Sequence, residues 1–472
     1  MENKLSKFFN ERNFVVANLL FGAFIAILNQ TLLVTAVPSI MEDLEIPFST
    51  AQWLTTGFFL VNGIMIPVTA FLINKFTTRK LYLFGMTLFT IGTVIAAVAP
   101  SFGILLTGRI VQAAAAGIMM PLTQVVLLKM FAPEKRGRAM GLFGLIIGFA
   151  PAIGPSLSGY IVEIWPWRTV FFIIAPFAAV NILFAYRFMR NVTETTDPPV
   201  DYISIIFSTL GFGGMLYGFS VAGISGWMEP GTILPILIGA AIVVIFVRRQ
   251  LRLDIPLLEL RVFKNKYFLL STLIGVIVFT SMVSANNILP VLMQDMLGYT
   301  AFESGLALLP GALMMGSFGL AAGFLFDKYG IRLLTFTSMG IILITSVMLA
   351  LLDENTSWTY ITIVYAFRLV GAGLSMMPLT TFAMNALEEH LLPHGTSINN
   401  TMRQIGSSLF TALLITVMTG FAFNFSAGGA PTTAEEIMGV NVSFIVAAVL
   451  AFIGLVMAFF LKEQPGAKMT ET

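Results

Sequence analysis

Long apolar stretches, separated by short polar segments, recur along the whole chain, and this alternation predicts helices that cross a membrane. Each stretch has roughly 20 residues, the length that a helix needs to span about 30 Å of hydrocarbon. The stretches are apolar on every side and do not alternate with a period of two, which disfavours a strand-based barrel. The fourteen predicted spans are 14–38, 51–73, 81–99, 103–128, 139–163, 169–189, 202–222, 231–248, 267–294, 304–326, 333–352, 358–385, 397–424 and 439–461.

The composition agrees with lipid as the main solvent. Of 472 residues, 57% are hydrophobic and 11% are charged, whereas soluble domains carry about 25% charged residues. The absence of cysteine excludes disulfides and thiolate catalysis. The first apolar stretch is long and has no small-residue cleavage site at its end, so we expect a retained first span and not a removed signal peptide.

Lysine and arginine lie almost entirely in the connections on one side of the predicted membrane. With the N-terminus in the cytoplasm, the opposite connections hold one base, Arg168, and acids such as Glu42 and Asp43. Basic loops stay on the cytoplasmic side. The pattern therefore predicts an even number of spans in the plasma membrane, with both termini cytoplasmic.

Two segments in corresponding places resemble each other and indicate repeated halves. They are AFLINKFTTRKLYL (70–83) and GFLFDKYGIRLL (323–334). Repeated halves are typical of transporters that alternate access around a central site. We expect a six-helix bundle in 1–195, two additional spans and a linker in 196–262, and a second six-helix bundle in 263–472.

The fifth span places helix breakers at its centre, in GFAPAIGPSLSGY (148–160). Pro151 and Pro155 each remove a backbone donor and bend the helix, and the surrounding glycines allow close approach of another backbone. We hypothesise that this bent face contacts the other half at the outer end and seals it when the protein faces inward. The alternative is a helix that is merely closely packed.

Four segments carry a resemblance to a known family. They are ILNQTLLVTAVPSI (27–40), LLTGRIVQAAAAG (105–117), GFAPAIGPSLSGYI (148–161) and MLGYTAFESGLALLPG (296–311). They resemble the major facilitator superfamily, and within it the fourteen-helix drug:proton antiporters. The resemblance implies an all-α membrane protein with the major facilitator fold, in which two pseudo-symmetric six-helix bundles flank two extra central helices. It also implies multidrug efflux from the cytoplasm in exchange for protons, by alternating access, in a monomer.

The resemblance also assigns site residues. The antiporter motif corresponds to Gly148, Pro151, Gly154, Pro155 and Gly159, and the inner gate to Lys75, Arg79, Asp327, Lys328 and Arg332. The sequence departs from the family at two places. Asn29 stands where the first-span motif usually has an aspartate, and the loop after the second span keeps only its basic character.

Proton coupling needs a titrating group, and the candidates are few. Arg109 lies within the fourth span, where an arginine costs about 2.5–3.5 kcal/mol and requires a partner, and Gln112 lies one turn away on the same face. The resemblance gives this arginine a role in proton handling; an arginine that reaches to the interface is the alternative. No acid lies at mid-depth, so Glu163 and Asp295, near the ends of their spans, are the candidate acids.

Polar and methionine side chains within spans predict a cavity for cargo. Polar groups on spans face a cavity or another helix, and methionine provides an adaptable apolar wall. This combination favours varied amphipathic molecules, although helix packing is the alternative for each residue. The candidates are Asn18, Asn29, Gln30, Gln112, Met120, Ser284, Asn287, Arg368 and Met377. Asn399, Arg403, Ser407 and Thr411 share one face of the thirteenth span.

Other functions find less support. His390 and His394 are four apart, but Pro393 lies between them and no third ligand is near, so a cytosolic loop is favoured over a metal pair. No Walker-type loop, nucleic-acid site, cofactor site or catalytic constellation is present, which argues against a pump driven by ATP and against an enzyme. The alternative function is an exporter of a specific endogenous metabolite, lipid or signalling molecule, with proton coupling weak or absent.

Overall fold

The computed structural model describes residues 2–196, 198–425 and 432–462, which fold into helices and short connections. This confirms the predicted all-α membrane architecture. The helices are α1 (Glu2–Asp43), α2 (Phe48–Ala51), α3 (Trp53–Lys75), α4 (Thr78–Ala97), α5 (Phe102–Met130), α6 (Arg136–Ile164), α7 (Thr169–Phe188), α8 (Tyr202–Ser225), α9 (Pro230–Gln250), α10 (Lys266–Val291), α11 (Ala301–Leu349), α12 (Trp358–Asn385), α13 (Leu392–Phe425) and α14 (Thr433–Ala458).

Thirteen of the described helices are long and apolar enough to cross a membrane, and α11 accounts for two of the predicted spans. A straight helix of its 49 residues would be about 74 Å long, more than twice the hydrocarbon thickness. Gly330 interrupts it with φ 77° and ψ 177°, a conformation that side chains rarely adopt. On α12, Gly371 approaches Ser338 and Ile342 while Gly373 approaches Met315, so both arms of α11 lie beside α12 as a hairpin.

Helices α1 to α7 form a first half, which contains an apolar core, and α10 to α14 form a second half, whose core extends into the first half at residues such as Phe71 and Phe143. The halves meet along two seams, α6 with α11 and α12, and α3 and α5 with α13. The predicted boundaries at 195/196 and 262/263 fall between α7 and α8 and in the 3₁₀ turn Leu260–Lys264. The division into separately moving bundles stays a prediction.

The two additional helices have different surroundings. Helix α8 packs on both α3 and α13; Tyr217 stacks on Trp53 at 5.9 Å, and Trp227, just beyond α8, donates to the hydroxyl of Thr416 at 2.6 Å. Helix α9 packs mainly on α8 and exposes large apolar side chains such as Leu237 and Ile245. We infer that α8 covers one seam between the halves and that α9 faces lipid.

The chain ends and connections define two ends of the helix bundle. The "basic end" is the one that holds the connections after α3, α5, α7, α9 and α12. The opposite end holds Arg168, which forms an ion pair with Asp43 at 2.7 Å. This pair explains the one base among the acidic connections. Hydrogen bonds from Arg168 and Trp167 lower the pKa of Asp43, so the carboxylate stays charged.

Candidate functional site

A buried arginine lies at the centre of a polar network in the first half. Arg109 on α5 has 1% of its surface exposed. Its guanidinium donates to the carbonyl oxygens of Asn29 at 3.3 Å and Leu54 at 3.4 Å, and to the Gln112 side chain at 3.0 Å. Phe58 covers one face at 4.4 Å from the ring centre. The cation is therefore held by dipoles and a ring, away from any interface.

Gln112 extends the network to one further helix, α4. Its amide nitrogen donates to the hydroxyl of Thr93 at 2.9 Å and lies 3.5 Å from the side-chain oxygen of Asn29. The side-chain nitrogen of Asn29 is buried without a hydrogen-bond partner. Helices α1, α3, α4 and α5 thus converge on one arginine. The Asn29 amide, whose nitrogen has no partner, lies where the resembled family has an aspartate.

The candidate acids do not reach this network. Glu163 at the end of α6 and Asp295 after α10 are both exposed. Among the described residues, no carboxylate forms an ion pair with Arg109. Asp327 is nearly buried, but it lies at the basic end, where Arg138 contacts it at 3.4 Å.

The second half repeats the buried arginine. Arg368 on α12 is 1% exposed and donates to the Ser281 carbonyl at 3.2 Å and the Ser346 hydroxyl at 2.7 Å. The ring of Phe444 lies 5.6 Å away, and the second terminal nitrogen of the guanidinium has no partner. Like Arg109, Arg368 binds backbone and side-chain oxygens of its own half.

The predicted cavity residues separate into three groups. Met120 packs against the core of the first half and against the apolar cluster that extends across both halves, and Met377 is buried against Gly144 across the α6 seam. Ser284 lines a small cavity inside the second half, between α10, α13 and α14. Gln30 is half-buried on α1 and Asn287 is exposed on α10. Met377 is therefore the candidate with a contact across the halves.

Asn18 belongs to a brace inside the first half. Its carbonyl oxygen accepts from the Tyr82 hydroxyl at 2.7 Å and from the Asn181 amide at 3.0 Å, and its side-chain oxygen accepts from Asn181 at 3.1 Å. All three side chains are buried. The network fixes α1 to α4 and α7, so the contacts of Asn18 are those of helix packing.

Glycines of α6 bring its backbone against α11. An added Cβ on Gly141 would lie 3.1 Å from the Leu320 carbonyl oxygen, and one on Gly148 would overlap the backbone of Gly316. Close packing of small residues is how helices associate in lipid. This contact occupies the half of α6 nearer the basic end.

The later residues of the antiporter motif do not contact the second half: Gly154 and Pro155 contact α1, and Gly159 has no neighbour on its open side. An added Cβ on Gly154 would overlap Thr31 of α1, and the Pro155 carbonyl accepts from Thr35 at 3.3 Å. Gly159 has open space beside it, and Pro151 is half-buried. In this conformation the cross-half contact lies toward the basic end and not at the opposite end. The seal hypothesised for the other conformation stays a prediction.

The predicted inner-gate residues gather at the basic end, but they differ in their contacts. Lys75 donates to the Pro198 carbonyl at 3.2 Å, and Arg79 donates to the Tyr186 carbonyl at 2.5 Å. Both acceptors precede α8 in the chain, so neither hydrogen bond reaches the second half. Asp327 bridges the halves through Arg138. The remaining two, Lys328 and Arg332, are exposed.

Polar contacts that the sequence analysis missed also join the halves near the basic end. Arg136 donates to Asn385 at 2.8 Å, and Asn400 donates to Gln124 at 2.9 Å. In each pair, one partner precedes the other by more than 200 residues. The only sequence signal was a polar residue within or beside an apolar span.

His394 corrects the expectation of a cytosolic loop. It lies in the first turn of α13, where Pro393 is tolerated because no helical donor is needed there. The Glu259 N–H lies 3.3 Å from its Nδ1, and the Asn74 side-chain nitrogen of α3 lies 3.1 Å from its Nε2. A neutral ring accepts one of these two hydrogen bonds, because its other nitrogen carries the proton. His394 therefore connects the linker and both halves.

The sequence of the chain is similar to a family model and to proteins of that family. A family model described as "Major Facilitator Superfamily" matches residues 19–411. The chain is 49% identical to the "Uncharacterized MFS-type transporter YcnB" of Bacillus subtilis (strain 168), over 96% of this chain and 95% of that protein. It is 38% identical to the "Lincomycin resistance protein LmrB" of the same organism, over 95% of both chains.

Solved structures show the same fold at low identity. The crystal structure of the human organic anion transporter MFSD10 (TETRAN) is similar with a TM-score of 0.67 and 12% identity, over 93% of this chain and 99% of that one. The proton:xylose symporter XylE, bound to 6-bromo-6-deoxy-D-glucose, is similar with a TM-score of 0.64 and 12% identity, over 94% and 96%. These similarities concern the fold alone.

Proposed function

The chain belongs to the Major Facilitator Superfamily, and from this premise we propose that it exports lipophilic, amphipathic drugs from the cytoplasm in exchange for protons. The family consists of transporters, so the protein is a multi-pass membrane transporter of small molecules and not an enzyme. Export proceeds by alternating access, in which the two halves rock about the central seams.

The names of relatives support drugs as the cargo. Besides the lincomycin resistance protein of Bacillus subtilis, the "Multidrug export protein EmrB" of Haemophilus influenzae is 28% identical over 83% of this chain. The mixture of methionine and small apolar side chains at the seam supports a cargo of variable shape, because such a surface adapts to its ligand.

The observation that carries the transport mechanism is the set of contacts between the halves. Glycine backbones of α6 and α11 touch, and the polar pairs Asn74–His394, Arg136–Asn385 and Arg138–Asp327 lie at the basic end. Individually weak, separable contacts of this kind suit a seam that opens and closes. If the basic loops are cytoplasmic, as the positive-inside rule requires, this conformation is closed to the cytoplasm, and both termini lie there.

Proton exchange depends on the network around Arg109. A buried cation held by neutral groups destabilises further positive charge nearby and stabilises a carboxylate that approaches it. We propose that Gln112 and Asn29 transmit this effect and that Glu163 or Asp295 carries the proton in a conformation that brings the acid nearer. The protein acts as a monomer in the plasma membrane.

Transport in proteoliposomes tests the proposal. The purified protein is reconstituted with an imposed pH gradient, and export of dyes and lipophilic antibiotics is followed by fluorescence. We expect cargo movement that is driven by the gradient and lost when an ionophore collapses it. Export that continues unchanged without the gradient would refute proton exchange. A response to one endogenous compound and to none of the drugs would favour the metabolite exporter.

A further inference from the structure

In the part of the chain that the structure describes, the charged side chains that are buried are arginines. Arg109, Arg368 and Arg403 have between 1% and 3% of their surface exposed. Among the described residues, none of the three forms an ion pair with a carboxylate. Asp327 is the most buried acid in an ion pair, and its partner Arg138 lies with it at the basic end. A cation in the interior is costly unless an anion compensates it.

Arg403 lies beside the seam. It is on α13, whose neighbouring residues Asn400 and Gln404 contact α5 and α3 of the first half. The guanidinium extends into the second half and donates to the Met376 carbonyl at 3.2 Å and the Thr380 hydroxyl at 2.6 Å. Met377, the next residue of α12, contacts the first half. Arg403 is thus next to residues that contact the first half, while its guanidinium is packed within the second half.

The guanidinium of Arg403 keeps hydrogen-bonding capacity that no protein group uses. Gly275 of α10 packs closely against it, since an added Cβ would lie 3.2 Å from one terminal nitrogen and 3.3 Å from Nε. Nε is buried and donates to nothing. A guanidinium edge with an unused donor is the group that binds carboxylate or phosphate oxygens well.

We propose that the cargo is an amphiphile that carries an anionic group, a carboxylate or a phosphate, which pairs with Arg403 when the basic end opens. The inference rests on the proposed export function and specifies its substrate class. Opening the basic end breaks the Asn400–Gln124 contact one turn from Arg403, so that the Arg403 side chain can turn toward the seam and bind the anion. The apolar part of the cargo then lies against the methionines of the seam. A cationic cargo would meet three uncompensated positive charges.

Dyes of similar shape and different charge test the proposal. The wild-type protein in proteoliposomes is given carboxyfluorescein as an anion, Nile red as a neutral dye and rhodamine 6G as a cation. We expect kcat/KM for rhodamine 6G at least tenfold below that for carboxyfluorescein. Faster export of the cation than of the anion would overturn the inference while leaving drug export intact. Transport of none of the dyes or antibiotics would contradict the export function itself.

Substitutions then assign the effect to Arg403. We expect Arg403→Gln to lower kcat/KM for carboxyfluorescein at least tenfold and for Nile red less than twofold, and Arg403→Lys to restore part of the anion transport. The matched control is Arg252→Gln, because Arg252 is exposed beyond α9 and the same change of charge there should leave all rates within twofold. If kcat/KM falls equally for both dyes in properly folded Arg403→Gln protein, Arg403 has a structural role and the assignment is overturned. If Arg403→Gln does not fold, Arg403→Lys and the wild-type dye preference decide.

Discussion

The contact between α6 and α11 can be tested by adding single methyl groups to three glycines of one helix. A Cβ on Gly148 would lie 2.5 Å from the Cα of Gly316, a backbone atom that cannot move alone. A Cβ on Gly144 would lie 2.8 Å from Cγ of Met377, which is a flexible side chain. Gly159 has nothing within 4 Å. The three Ala variants share the change in helix propensity, so differences between them report the seam.

The size of the effect follows from the overlap. Overpacking a close contact costs about 1–3 kcal/mol. For Gly148→Ala this cost applies only to the conformation in which α6 and α11 touch, so the equilibrium shifts about 5- to 140-fold toward opening at the basic end, at 1.4 kcal/mol per tenfold. We expect a smaller shift for Gly144→Ala, because Met377 can change rotamer, and none for Gly159→Ala.

Distances between spin labels measure this equilibrium. The chain has no cysteine, so labels on Lys135→Cys and His390→Cys report without background. Both positions are exposed and lie on opposite halves at the basic end. We expect the long-distance population to increase in the order Gly159→Ala, Gly144→Ala, Gly148→Ala. An unchanged distribution in Gly148→Ala, or an equal change in Gly159→Ala, would refute the assignment of this seam as the closing contact.

Three further substitutions test other parts of the molecule. Asn29→Asp places a carboxylate beside the buried arginine of α5, and we expect dye export with a steeper dependence on the pH gradient than in the wild type; an identical dependence would argue against a coupling role. Tyr82→Phe removes the hydroxyl that lies between the Asn18 carbonyl and the Asn181 side-chain oxygen. It should lower the free energy of unfolding by about 1–3 kcal/mol, seen as a lower Tm in detergent, with dye selectivity unchanged; altered selectivity would mean that this network lines the cavity. Asp43→Asn removes the ion pair with Arg168. Because the pKa of Asp43 is lowered below its usual 3.8 by that hydrogen bond, the stabilisation is present above pH 3.8 and is lost as the pH falls through the lowered pKa. We therefore expect the Tm difference from the wild type at pH 7 to diminish on acidification below that value, and a constant difference would contradict the pairing.

Two asparagines of α1 show that helical periodicity does not determine which neighbouring helix a side chain contacts. The sequence places Asn18 and Asn29 on one face of α1 and predicts that both line a cavity. In the structure Asn29 adjoins Arg109, whereas Asn18 is fixed by Tyr82 and Asn181. Helical periodicity determines which residues share a face, but a face of this length contacts different helices along its course.

The spans, including the two that α11 joins, and their all-α character were predicted from the sequence alone. The reason is local: lipid offers no hydrogen bonds, so each stretch of about 20 apolar residues must satisfy its own backbone as a helix. The Arg109–Gln112 pair is local as well, because residues three apart on a helix are neighbours. Tertiary structure decided the contacts among Asn74, His394 and Glu259, because their positions depend on how whole helices pack. That packing is set by the summed fit of many side chains and glycines, which no single segment of the chain contains.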